Sequence, residues 1–436
     1  MNTSILSPIE KYRQLKREIR KGQDILIVGI DIGKHSSVSC IGDTRGKIYL
    51  RKYKFGNHLR GIQGIISRAE EYKGQHRKSA MVWAVEPTGN YHKPVANHLV
   101  RNGYRVVGIS SVTAKENRKT LDGGGRWRKN DPRDAFNILD LVRQGKMFFY
   151  QENPEREGLK DLLKLRMRTS KSLSSFKARI RNNHFARYFP EIDSLYPDIF
   201  NQDIMRILKH CPTAEDIRQL SYQRFLDILT RKKASLKHER RLHEVWQRAQ
   251  DSIGCVKHSS VNLTISIYLE NILQLKSQIK TIDKNIRNFC CESRDYDLIQ
   301  GIPGYGPLLT AVIMAYVGPI DNYEHPDQLS KLAGLDLEYV QSGQFHGQAC
   351  ISKKGSSLLR YAVCSAALHA LKNKTIRQYF ETHLQRKGSE SLDRAKLRIK
   401  LAEKLLRTIF IILKTREPFS LNRFVNPVTT SLCLST

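Results

Sequence analysis

The stretch that most limits what this chain can fold into is residues 24–35, DILIVGIDIGKH. It is an almost unbroken apolar run rich in β-branched residues, the composition of a strand covered on both faces inside a sheet. The run ends on Asp31, with Gly33 two residues on. Burying an unpaired carboxylate is costly, so Asp31 must be open at the strand end, paired, or holding a cation. It is either a turn aspartate closing a hairpin into residues 36–41 or one member of a site. The acids further along bear on that choice.

From residue 24 to about 110, strand and helix signals alternate. Residues 37–42 and 47–55 follow the first strand closely enough to make an antiparallel meander. Residues 59–72 read as a polar helix. A second buried-type strand, 81–85, ends on Glu86, with Pro87 and Gly89 directly after. His92–Arg101 reads as a helix stopped by Gly103, and 104–109 as another strand. The pattern is an α/β sheet whose first three strands are antiparallel and whose later ones are joined through helices. Ligand sites in such sheets gather at the carboxyl ends of strands, where Asp31 and Glu86 stand.

Residues 129–135, KNDPRDA, open a further helix that runs to Gly145. Asn130 or Asp131 can cap it, and Pro132 suits a first turn. Asp131 and Asp134 are three apart and can face the same side. An acidic first turn is favoured by the helix dipole alone. Together with Asp31 and Glu86, however, the pair completes a set of oxygen donors suited to Mg²⁺. Phosphodiester chemistry with two such ions needs several carboxylates around a small volume.

Charge points the same way. Lys and Arg number 74 against 42 Asp and Glu, a formal net charge of +32 in a chain of ordinary hydrophobic content. A field of that size attracts polyanions, and nucleic acid fits better than an anionic membrane because no polybasic run flanks a long apolar segment. No run reaches transmembrane length. Residues 1–23 form a basic lead-in that does not read as a secretory signal. The eight cysteines include no CxxC pair or zinc spacing, so reduced thiols in the cytoplasm are expected.

Residues 155–187 carry ten Lys or Arg against three Asp or Glu. Such a run is commonly a solvated helix face. Here a helix contacting the nucleic-acid backbone through Lys164, Arg166, Arg168, Lys177, Arg179 and Arg181 is favoured. Residues 190–260 carry no motif. Ile265, Tyr268, Ile272, Leu275, Ile279, Ile282, Ile286 and Phe289 alternate spacings of three and four, which argues for a self-associating coiled coil or an internal helical hairpin.

At residues 301–307, GIPGYGP, a glycine-rich turn leads into a helix, and the amides around Gly304 and Gly306 can hold a phosphate oxygen. The turn resembles a helix-hairpin-helix DNA-binding element. Residues 341–347 read QSGQFHG and 351–360 read ISKKGSSLLR. A serine beside backbone-exposing glycines and Lys353, Lys354 and Arg360 can attack a phosphate, since cations stabilise the alkoxide and the transition state. A lone loop serine is otherwise an ordinary turn residue.

Order and spacing of these motifs resemble the DEDD transposases of the insertion-sequence one-ten family, relatives of the Piv and MooV invertases, over roughly 24–190 and 296–416. The resemblance places the four acids on Asp31, Glu86, Asp131 and Asp134 and the catalytic serine on Ser342. Ser352 and Ser357 are the competing nucleophiles. Departures are Asn130 in place of a Thr, Pro132, a single serine in the Ser-Gly element, Ser356 for an Asp or Asn, and a long 190–295 segment.

The implied fold is a ribonuclease-H-like (RuvC-like) α/β domain at 24–150. A helical, coiled-coil middle at 151–295 and a mainly helical transposase domain at 296–436 follow. The implied activity is Mg²⁺-dependent transposition or recombination of donor and target DNA through a serine–DNA link. A bridge RNA guides it, and dimers assemble to a tetramer in a bacterial or archaeal cytoplasm, at the nucleoid. A plain two-metal nuclease and a non-catalytic nucleic-acid binder are the alternatives.

The charge balance yields a first prediction. Affinity for duplex DNA should fall by about 10³-fold or more between 50 and 200 mM salt. A titration of binding against ionic strength checks it, and salt-independent affinity would contradict it.

Overall fold

The computed structural model describes residues 8–87, 89–121, 131–150, 153–196, 200–230, 235–338, 341–342, 345–346, 350–385 and 391–425. The chain divides into two compact units, Met1–Pro154 and Glu155–Thr436.

The first unit opens with helix α1 (Pro8–Arg20), followed by strands β1 (Ile25–Ile32), β2 (Ser36–Asp43) and β3 (Ile48–Gly56). Helix α2 (Leu59–Gln75), β4 (Ala80–Val85), α3 (His92–Arg101) and β5 (Arg105–Gly108) come next. The unit finishes with α4 (Ser111–Leu121), α5 (Asp131–Arg143) and the short β6 (Phe148–Phe149). The six strands form one sheet in the order β3-β2-β1-β4-β5-β6. The first three strands pair antiparallel, while β4 runs parallel to both β1 and β5. This is the mixed sheet expected from the alternating signals. A parallel pair needs a crossover, and α2 and α3 supply it.

Strand alternation sorts the core into two faces. Leu26, Val28, Ile30, Met81, Trp83 and Val85 pack with Ile62, Ile65, Val95 and Leu99 of α2 and α3. Ile25, Ile27, Val82 and Ala84 pack on the opposite face with Leu15 and Ile19 of α1, Ala114 of α4, and Ala135, Ile138 and Leu139 of α5. Asp31 continues the odd-numbered set of β1, and Glu86 continues the even-numbered set of β4. Both therefore belong to the α5 face. Because Ile30 pairs with Val85, Asp31 and Glu86 follow side by side at the carboxyl ends of neighbouring parallel strands.

The second unit is mostly helical. The Pro154–Arg179 helix and the 30-residue Val261–Cys290 helix are its long struts. The apolar stripe of the latter is used at both ends inside the chain. Ile265, Leu269 and Ile272 join a core with Phe185, Phe189, Ile204, Ile207, Phe225, Leu242 and Val245. Ile282 and Ile286 pack with Leu159 and Leu163 of the Pro154–Arg179 helix. Residues 190–260, without a motif in sequence, thus build a core of short helices. A third core joins Ile299, Ile302, Tyr305, Ile313, Leu359, Val363, Leu401, Leu405 and Ile409. No helix among the described residues is long and apolar enough to cross a membrane.

At the end of the sheet away from Asp31 and Glu86, Lys78 is buried between two acids. Its Nζ lies 2.8 Å from Asp43 Oδ2 and 2.9 Å from Asp24 Oδ1. Burial pushes the Asp43 carboxyl up, but hydrogen bonds from Lys78, Tyr49 and the Lys47 amide outweigh it and hold the group below the usual range. A depressed folded value contributes stability that is present above the unfolded value of about 3.9 and is lost as pH falls through the folded one. Lys78→Met strands Asp43 and should cost about 3–5 kcal/mol at pH 7. Urea melts should show that deficit shrinking as pH falls below about 4 and closing only below the depressed folded value, where Asp43 goes neutral in the parent too. Equal midpoints at pH 7 would contradict this.

Candidate active site

Helix α5 lies flush on β1 because Gly29 has no side chain. A Cβ at Gly29 would stand 2.5 Å from the Ala135 carbonyl oxygen and 2.8 Å from the Leu139 amide nitrogen. Backbone therefore meets backbone, and the first turn of α5 is carried over the ends of β1 and β4. Asp134, one residue before Ala135, is 1% exposed, and Glu86 is 8% exposed.

The turn after Asp31 is braced from another strand. Asn57 Nδ2 donates to the Gly33 carbonyl at 2.8 Å, the Asn57 amide donates to the His35 carbonyl at 3.1 Å, and Ser37 Oγ donates to Asn57 Oδ1 at 2.6 Å. Asp31 itself is half-buried. Asn57, at the end of β3, carried no motif in sequence.

The residue that ties the acids together is Arg118 of α4, which sequence reasoning missed along with its helix. Its Nη2 donates to Glu86 Oε2 at 3.1 Å, and its Nε lies 2.8 Å from Asp134 Oδ1. The second contact is an ion pair without the alignment of a hydrogen bond, since neither atom finds a hydrogen-bond partner among the described residues. Two nearly buried carboxylates, one after a strand and one in a helix, are thus no further apart than one guanidinium spans.

Arg118 is fixed by an amide network on its neighbour. Asn117 Nδ2 donates to Asn137 Oδ1 at 2.9 Å and to Asp140 Oδ2 at 3.1 Å, while Asn137 Nδ2 donates to the Ala114 carbonyl at 3.0 Å. Gln144 Nε2 closes the ring on Asp140 Oδ2 at 2.6 Å. Buried polar groups with every partner in place lock two helices in one register.

Of the four acids predicted in sequence, the structure brings Glu86 and Asp134 together and sets Asp31 on the strand beside Glu86. Asp131 begins α5, but its side chain lies outside the described residues, as does Asn130. Among the described residues no group of three His, Cys, Asp or Glu side chains forms a ready metal cage. The donor set still fits a hard divalent ion. Glu86 and Asp134 offer nearly buried carboxylate oxygens and Asp31 half-buried ones, all hard donors, and the Arg118 guanidinium stands beside the first two.

In the second unit, residues 341–342 and 345–346 form a two-stranded hairpin with Ser342 opposite Phe345. The Ser342 side chain lies outside the described residues. Both competing positions are described. Ser352 Oγ donates to Asp336 Oδ1 at 2.5 Å, in a loop pinned where Ser352 N donates to the Asp336 carbonyl and Lys353 N to the Gly334 carbonyl. Ser357 is exposed in the first turn of the Ser357–Ala370 helix, whose N-cap is Ser356.

Gly304 has φ +99°, and a Cβ there would stand 2.2 Å from the Ala366 carbonyl oxygen, so the turn is pressed onto the alanine-rich helix. Gly306 caps the Pro307–Val317 helix with open space around it. His369 and Lys372 line a cavity of about 540 Å³ with this turn.

The predicted basic contacts are unequally committed. Arg166 pairs with Asp283 at 3.2 Å, Arg181 with Asp193 at 2.9 Å, and Lys164 with Asp161 at 3.3 Å. Lys354 pairs with Glu338, and Arg360 Nη1 donates to the Ala333 carbonyl at 3.0 Å. Lys177 lies over Phe200 and Arg179 over Phe176. Lys353 adopts a left-handed φ of 54°, and both it and Arg168 of the Pro154–Arg179 helix are exposed.

Two family models match the chain. A transposase model of the DEDD IS110 type covers residues 28–190, and the model of the transposase IS116/IS110/IS902 family covers residues 296–381. An uncharacterised 44.8 kDa protein of insertion element IS116 from Streptomyces clavuligerus is 22% identical over 401 residues, covering 91% of this chain and 96% of the relative. The transposase for insertion sequence element IS1111A of Coxiella burnetii is 24% identical over 411 residues, covering 93% and 94%.

The Gly29 contact gives a direct test of how the acids are placed. Gly29→Ala should cost about 1–3 kcal/mol by overpacking α5 against β1. Chemical denaturation measures this, and a variant as stable as the parent would show that α5 does not sit on that glycine.

Proposed function

This chain is a DNA transposase of the IS110 family, and we propose that it cuts and joins insertion-sequence DNA through a divalent-metal centre on Asp31, Glu86, Asp131 and Asp134 and a covalent link on Ser342. The observation that carries the reading is the convergence of Glu86 and Asp134, nearly buried and sharing one guanidinium, beside the strand end that bears Asp31. The strand order, with an antiparallel meander continued by parallel strands, supports a ribonuclease-H-like (RuvC-like) unit.

A divalent cation, most simply Mg²⁺ in one or two sites, would polarise the scissile phosphate and offset charge on the departing oxygen. The chain's own acids hold that charge in place, and the sheet and α5 keep the acids oriented. Ser342 Oγ attacks phosphorus. The Oγ–P bond forms as the P–O3′ bond breaks, and the proton of the hydroxyl ends on the released 3′ oxygen. A 3′ hydroxyl from the partner strand reverses the exchange and frees the serine. Ser352 suits the nucleophile less well, because its hydroxyl is already given to Asp336 within a pinned loop.

The positive charge suits long polyanions, both donor and target DNA. Guidance by a structured bridge RNA and assembly of dimers into a tetramer rest on family membership. The middle of the Val261–Cys290 stripe, at the half-buried Leu275 and Ile279, is where a coiled-coil contact between copies fits.

Ser342→Ala should abolish the protein–DNA adduct seen on denaturing gels. Asp134→Ala should reduce strand cleavage by about 10³-fold or more while DNA binding persists. An adduct formed by Ser342→Ala would remove that serine from the mechanism. Metal-dependent cleavage without any adduct would instead fit a two-metal nuclease.

A further inference from the structure

Arg118 lies outside the four-acid pattern, yet its place needs a reason. Its guanidinium bridges Glu86 and Asp134 with its side chain 22% exposed. A cation between two acids that are themselves nearly buried relieves their repulsion and their desolvation. It also engages Glu86 Oε2 and Asp134 Oδ1, one oxygen of each carboxylate that a divalent ion would draw on. Two cations cannot share those oxygens without strong mutual repulsion, and the Asn117–Asn137–Asp140 network keeps α4 from carrying Arg118 away as a body. Any exchange must therefore happen at the side chain.

We infer that Arg118 is a positioning residue that holds Glu86 and Asp134 in place of a divalent cation in the free protein. It gives up at least one of them when the cation binds, and its freed fork then meets a phosphate oxygen of the DNA. This rests on the metal reading of the four acids. The fork geometry of a guanidinium matches phosphate as well as carboxylate, so one side chain serves both partners. The exchange makes the free protein a poor metal binder and couples metal entry to DNA. Whatever engages the guanidinium releases the acids, and the coupling works equally in both directions.

The test is Mn²⁺ titration of the full chain by calorimetry, with melting temperatures in EDTA and in Mn²⁺. Arg118→Gln should bind Mn²⁺ roughly tenfold tighter than the parent, since a charge at this range changes a carboxylate's cation affinity by one to three powers of ten. It should melt lower than the parent in EDTA and recover most of that loss in Mn²⁺. Arg118→Lys, whose shorter stem and compact ammonium lack the planar fork that reaches both acids here, should bind Mn²⁺ tighter than the parent by a smaller factor. It serves as the readout if the glutamine variant does not fold. Parent and variants with equal Mn²⁺ affinity would overturn the inference alone. No Mn²⁺ binding by any of them would overturn it together with the metal reading.

Discussion

Everything at the candidate centre depends on one close approach, the backbone of α5 against the bare Cα of Gly29. A side chain there would lift the helix by the width of a methyl group. The start of α5 would then stand farther from the ends of β1 and β4. Because the contact is backbone to backbone, it fixes α5 more tightly than interdigitating side chains do, and Asp134 inherits that precision. Arg118 and its amide network complete the geometry from the other side. The site is therefore built from the ends of elements, while their middles supply the core that holds them.

Much of the first unit was legible because a doubly covered strand has an unmistakable composition. The runs through Ile25–Ile32 and Ala80–Val85 announce themselves, and a carboxylate where such a run stops cannot be part of the core. It took the pairing of Ile30 with Val85 to show that Asp31 and Glu86 share one face. Helix α4 was not legible. Its buried positions are Ala114 and Asn117, so the side facing the protein is half polar and leaves little apolar periodicity to read. Arg118 went unseen for the same reason: a counterion inside a strongly basic chain looks like one more surface charge.

The second unit shows the converse. Composition marked the Pro154–Arg179 helix as a basic face, yet Arg166 and Arg181 are engaged with acids distant in sequence, and Arg360 with a backbone carbonyl. Counting charges cannot separate a cation that pairs within the fold from one that remains for a polyanion. The glycine-rich turn carried a different ambiguity. Gly304 meets the steric demand of the alanine-rich helix, whereas a side chain at Gly306 would stand in open space. Residues 190–260 were silent because their core comes from short helices, each too brief for its periodicity to stand out.

The central claim is that acids at the ends of β1 and β4 and at the start of α5 hold a divalent cation. Loading the protein with Fe²⁺ and generating hydroxyl radicals from it cuts the backbone close to wherever the ion sits. Cuts clustered around Asp31, Glu86 and residues 131–134, suppressed by excess Mg²⁺, are the predicted result. Cuts confined to other parts of the chain, or a pattern unmoved by Mg²⁺, would contradict the account.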